Sequence, residues 1–195
     1  TPGAPGQNGQ DGQDGEGRNE TLVHIDGLSW THDEASFGGF GDLVEGLKEP
    51  GLVIAFDRPI RIASLLGKGG RGFNQIFQLI AQVSQQGGVQ ELIVGGLDAE
   101  GVEVTARDAA GRITAATALP AGEPLARAIR LRIGDSWREG VQAGSYRVLL
   151  RADFLQDEAG RFAVDGNHIF GAVPVRRSGN GLQGGSFESW FYVEQ

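Results

Sequence analysis

The chain has 195 residues, 33 of them glycine, a 39% hydrophobic content and a formal net charge of −8; that length suits one substantial domain with an appendage. The absence of cysteine excludes a disulfide framework and any thiolate metal site. The negative balance argues against nucleic acid and anionic membrane as partners, and no apolar run approaches the roughly 20 residues that cross a bilayer.

The chain opens on Thr1 and contains no methionine, which reads as the processed end of a secreted or cell-surface protein, or alternatively as a cut fragment. A lipid anchor or a longer repeat ahead of Thr1 stays open. In "GAPGQNGQDGQDGEG" glycine falls at every third place: Gly3, Gly6, Gly9, Gly12 and Gly15. Three extended chains winding together require that spacing, because only glycine fits at their shared axis. The segment resembles bacterial collagen-like sequences, and residues 1–17 are taken as a unit separate from residues 18–195. Five triplets are too few to hold a triple helix alone, so the rest of the chain must supply further contacts or the segment is a hydrophilic tether.

From about Glu20 onward the pattern is short strands between glycine-rich turns. "TLVHIDGLSW" is the first strand, and a short helical turn is expected at Asp42–Leu47. "LVIAFDRPI" places Leu52, Ile54 and Phe56 on one face and is expected to end at Pro59, which cannot continue a central ladder. Residues 73–86, "FNQIFQLIAQVSQQ", fit a helix face through Phe73, Ile76, Phe77, Ile80 and Val83, or a strand through Phe77, Leu79, Ala81 and Val83. "VEVTARDAAGRITAATAL" is a hairpin turning at Asp108–Gly111, with Val102 and Val104 before the turn and Ile113 after it. "ARAIRLRI" alternates Ile129, Leu131 and Ile133 with Arg130 and Arg132; these arginines and Arg127 read as a solvated face paired with acidic residues. "GSYRVLLRADFL" carries Tyr146, Val148 and Leu150 on one face. In the closing "SFESWFYVEQ", Phe187, Phe191 and Val193 point one way while Trp190 and Tyr192 point the other. Two apolar faces imply either a central place in a sheet or burial against a second chain.

The segments "GLVIAFDRPI" and "VQAGSYRVLLRADFLQDEAGRFAVDGNHI" resemble bacterial Ig-like domains of surface proteins. Phe56, Asp57, Arg58 and Pro59 match their opening strand, Gly144, Tyr146, Val148 and Leu150 their late strand. Asp157, Gly160, Val164, Asp165, Gly166 and Asn167 match the turn that follows. The likeness runs from about Leu52 to Ile169, with a longer middle at Leu65–Gly96. It implies an all-β, Ig-like sandwich serving as a spacer, adhesive or assembly module, and no catalytic residue.

No reaction is legible. "GKGGRG" at Gly67–Gly72 has dinucleotide-loop spacing but lacks the repeated strand–helix units that make the loop work. His24, His32 and His168 are scattered; His32 beside Asp33 and Glu34 forms a polar loop with weak metal potential. Neither a serine in a nucleophile elbow nor a singled-out carboxylate pair is present. Asp153, Asp157, Glu158, Asp165 and Asn167 offer hard oxygens of the kind calcium takes, and calcium is the one candidate cofactor; the same residue types also serve hairpin turns for backbone reasons. The expectation is a non-enzymatic extracellular structural protein. Its copies would join as a trimer or fibre through the repeat glycines and through Phe187, Trp190, Phe191 and Tyr192. The alternative is a monomeric tethered module binding carbohydrate or protein.

Overall fold

In the computed structural model of the chain, strands such as β3 (Leu52–Arg61), β9 (Ser145–Arg151) and β11 (Ser186–Val193) turn alternating apolar residues to a shared core. The described residues are 21–63, 73–85, 88–135, 144–167 and 177–194. The repeat glycines Gly3 to Gly15, the Gly67–Gly72 loop and His168 lie outside them.

One sheet runs in the order β1 (Ile25–Leu28), β3 (Leu52–Arg61), β8 (Leu125–Ile133), β6 (Leu97–Arg107), β7 (Ile113–Ala118), with the two-residue β10 (Gln156–Asp157) beside the end of β3. The other runs β2 (Ala35–Phe37), β11 (Ser186–Val193), β9 (Ser145–Arg151), β4 (Phe77–Gln85), β5 (Gly88–Ile93). Among the described residues the named strands pair antiparallel except β2 with β11. The sheets enclose one core. Ile25, Leu52, Ile54, Phe56, Ile129 and Leu131 enter it from the first sheet, and Phe77, Leu79, Tyr146, Val148, Leu150, Phe187 and Phe191 from the second. Each such side chain contributes about 1.5–3 kcal/mol by leaving water. Phe191 sits at the centre, stacked on Tyr146 at 5.7 Å and tilted against Trp30 at 6.3 Å. The described residues are therefore all-β in character, with one substantial helix among them.

That helix, α1 (Phe40–Lys48), buries Leu43 and Leu47, which share a face at four-residue spacing. It extends the turn expected at Asp42–Leu47 by two residues at the start and one at the end, most of a turn in all. The ambiguous stretch holds both patterns in succession: Phe73–Ile76 makes a single helical turn, α2, and Phe77 begins β4.

Two expectations need correction. β3 does not stop at Pro59 but continues to Arg61. Its pairing with β8 shifts register between Ala55 and Ile60, and the proline sits in that irregularity, where the missing N–H interrupts no regular ladder. Nor is Arg130 solvated: it is buried, its Nη2 lies 2.6 Å from Glu100 Oε1, and its Nη1 donates to the Ala116 carbonyl at 3.2 Å. Arg132 Nε shares the same Glu100 oxygen at 2.8 Å.

A second apolar cluster forms on the opposite face of the first sheet, from Val53, Ala55, Val102, Ile113, Ala116 and Ala128. Arg107, at the end of β6, brings Nη2 to 3.8 Å from Asp26 Oδ1 on β1, although β8 and β3 lie between those strands in the sheet. The β6–β7 hairpin thus bends back over the outer face of its own sheet, which is what buries Ile113 there.

Candidate functional site

The closing strand β11 shows strict alternation: Phe187, Ser189, Phe191 and Val193 are buried, while Trp190 and Tyr192 remain 37% and 40% exposed. β11 has neighbours on both sides, β9 along its length and the short β2 at its end. The two outward aromatics are held in place. Asp33 Oδ1 accepts the Trp190 indole N–H at 2.6 Å and the Tyr192 hydroxyl at 3.0 Å. The Asp33 backbone N–H donates to the Trp190 carbonyl at 2.8 Å, from a left-handed conformation (φ 60°) that aspartate tolerates better than most residues. The His32 ring lies 4.4 Å from that of Trp190. The bonds from Trp190 and then Tyr192 hold the Asp33 carboxyl below the usual carboxylate range, and the carboxylate in turn raises the Tyr192 phenol. On the inner side, Ser189 Oγ accepts the buried Trp30 indole N–H at 2.9 Å.

Cross-strand register continues this outer face. Trp190 lies opposite Arg147, Arg147 opposite Ile80, and Ile80 opposite Ile93. Arg147 bridges Glu91 at 2.7 Å and Glu188 at 3.3 Å. The row ends on β5, which among the described residues pairs with β4 alone and is exposed at all six of its positions. Val89 (67%), Ile93 (62%) and Leu92 present aliphatic surface there. Of the eight large hydrophobics exposed among the described residues, five therefore lie on two strands of this sheet.

The candidate calcium residues are engaged with backbone. Asp165 is fully buried, and its carboxylate accepts the N–H groups of Asn180 and Gly181 at 2.8–3.2 Å. Asp153 Oδ1 accepts Gly185 N–H at 2.9 Å, and Asn167 Nδ2 donates to Asn180 Oδ1 at 3.3 Å. Asp153, Asp165 and Asn167 thus converge on the glycine-rich segment 178–185, whereas Asp157 stands apart at its own turn. Burial would raise the Asp157 carboxyl, but the Arg161 and Phe162 N–H groups bound to it hold it below the usual value. Glu158 offers its backbone carbonyl to Arg61 Nε at 3.0 Å. Gly179 (φ 117°) seals this junction: a Cβ there would come within 2.6 Å of His24 Nδ1 and 2.7 Å of Asp165 Oδ2. Among the described residues no group of three or more His, Asp or Glu is placed to hold a metal ion.

A third feature has no counterpart in the sequence reading. Beside the β3 irregularity, under the bent hairpin, a cleft of about 530 Å³ opens. Its floor includes Ala55, Val104 and Leu125, and Asp26, Asp57, Glu103, Glu123, Arg107 and Arg127 line it. Asp26 and Arg107 are 81 positions apart, and no spacing rule reaches that far.

No family model, curated protein or solved structure matches the chain, so these geometries stand on their own.

Proposed function

We propose that the protein is a non-enzymatic extracellular structural module whose identical copies associate, through the collagen-like segment and through the sheet that ends in β5. The observation that carries this reading is the open β5 edge. Among the described residues β5 has a partner on one side only, and such an edge with exposed Val89, Leu92 and Ile93 is a template for another strand. Natural edges are ordinarily blunted by Lys, Pro or bulges, and "GVQELI" carries neither Lys nor Pro. The occupant is a second copy, because glycine at every third position of residues 3–15 calls for sister chains running side by side. An Ig-like architecture is supported by strand order: β1-β3-β8-β6 and β11-β9-β4-β5 follow the A-B-E-D and G-F-C-C′ orders of immunoglobulin sandwiches. β7 is an addition to that pattern.

The test is sedimentation of the full chain, of the Val89→Lys/Ile93→Lys variant and of the chain starting at residue 18. Association weakened in both altered forms supports the proposal; a folded lysine variant that keeps the parent's mass refutes the role of β5. The second reading, a tethered monomer that binds a ligand, is favoured by the cleft on the opposite sheet. The one aromatic among the described residues lining that cleft, Phe56, is buried and offers no open ring face for a sugar, so a protein ligand fits better than a carbohydrate.

A further inference from the structure

The cleft under the β6–β7 hairpin lies on the sheet that does not contain β5, away from the edge proposed for self-association. Its volume falls in the range of small-molecule sites, about 300–1,000 Å³. Four carboxylates line it against two guanidiniums; with Asp57 matched by Arg58 and Arg177 outside the lining, Asp26, Glu103 and Glu123 face Arg107 and Arg127, an excess of one negative charge. Some of these groups are already spoken for. Asp57 Oδ1 accepts the His24 backbone N–H at 3.0 Å, and its carboxylate lies 3.8 Å from both Arg58 and Arg177. Arg107 Nη1 donates to the Gly111 carbonyl at 3.1 Å. Others are not. Among the described residues Asp26 Oδ1, a buried atom, accepts no hydrogen bond, and the Arg107 guanidinium, at 3.8 Å, is beyond bonding distance. Glu103 and Glu123 take part in no ion pair among the described residues.

A half-buried carboxylate whose Oδ1 lacks a hydrogen bond, two carboxylates outside any ion pair among the described residues and the aliphatic lining of Ala55, Val104 and Leu125 are complementary to one chemistry. We propose that this cleft binds an alkylammonium group, the aliphatic chain lying on Ala55, Val104 and Leu125 and the cation held by Asp26, Glu103 and Glu123. An alkyl carboxylate would meet the excess negative charge, and a neutral alcohol would leave it uncompensated. The ammonium has two natural sources, a free polyamine or a lysine side chain of a protein ligand. Burial pushes the Asp26 carboxyl above its usual value, with Arg107 offsetting part of the rise and Asp57 adding to it. Asp26 therefore costs stability at neutral pH, as expected of a group kept for binding.

The experiment is an NMR titration of the intact chain with n-hexylammonium chloride, with 1-hexanol and sodium hexanoate as controls. Saturable shifts at the amides of Asp26, Gly27 and Val104 are expected for the ammonium, with an affinity about tenfold or more above either control. Asp26→Asn, and separately the exposed-rim change Glu103→Gln, should each weaken that binding; for Asp26→Asn the loss is about tenfold, with thermal stability at pH 7 retained or raised. Repeating the titration with 1,6-diaminohexane and with Nα-acetyl-lysine methylamide assigns the source, the tighter binder naming it. No saturable shift, equal response to hexanol, or undiminished binding by folded Asp26→Asn would overturn the proposal.

Discussion

Ser189→Ala removes one oxygen atom from the centre of the molecule, and its cost follows from what that oxygen does. Ser189 is fully buried on β11, and its Oγ accepts the indole N–H of Trp30, itself buried on the segment after β1. The bond joins the two sheets across the core. Alanine leaves the Trp30 N–H sealed in the core with its partner gone, which costs about 1–3 kcal/mol. His32 Nδ1, 3.0 Å from the same oxygen, is only half-buried, so water replaces that contact at little cost. The expected loss is about 2 kcal/mol, and at about 2–4 °C per kcal/mol for a domain of this length the melting temperature falls by about 4–8 °C. Chemical denaturation should show a lower midpoint with an unchanged slope, because the surface exposed on unfolding is the same. Combining Ser189→Ala with Trp30→Phe should show a coupling of about 1–2 kcal/mol. A loss below about 0.5 kcal/mol would refute the reasoning, since it would mean that water reaches the indole and the sheets are not closed over Trp30.

Asp26→Asn should raise stability at pH 7. The folded-state pKa of Asp26 lies above the ordinary 3.8, so the wild type loses stability as pH rises from 3.8 through that raised value; the variant's advantage vanishes below pH 3.8, which paired melts at pH 3 and pH 7 will show. Asp33 runs the other way. Its lowered pKa means that its grip on Trp190 and Tyr192 persists above 3.8 and is lost as pH falls through the folded value, so tryptophan fluorescence should titrate below pH 3.8 in the wild type and not in Asp33→Asn. Calcium in the range that fills extracellular sites, about 10⁻⁴–10⁻³ M, should leave the melting temperature in place, because Asp153 and Asp165 spend carboxylate oxygens on backbone N–H groups; a rise of several degrees would restore the calcium reading.

What the sequence made legible was local. Two-residue alternation in β9 and β11 shows which side chains meet in the core, because each strand's faces are set by its own pleat. Asp108 and Gly111 likewise announce their hairpin turn through short-range chemistry. The rest depends on long-range bending and pairing. Arg130 alternates like a surface residue yet is buried, because Glu100, thirty positions away, neutralises it on the neighbouring strand. Nothing near Asp33 indicates that its carboxylate will hold aromatics 157 and 159 positions on. The cleft exists only because the β6–β7 hairpin bends back until Arg107 approaches Asp26, a curvature that no residue pattern encodes.

Association of identical copies is the claim on which the functional account rests, and the mass of the full chain in solution tests it most directly. Light scattering across a dilution series should give a multiple of the 20.6 kDa chain mass at high concentration and fall toward the single chain on dilution. A mass of one chain at every concentration would contradict it.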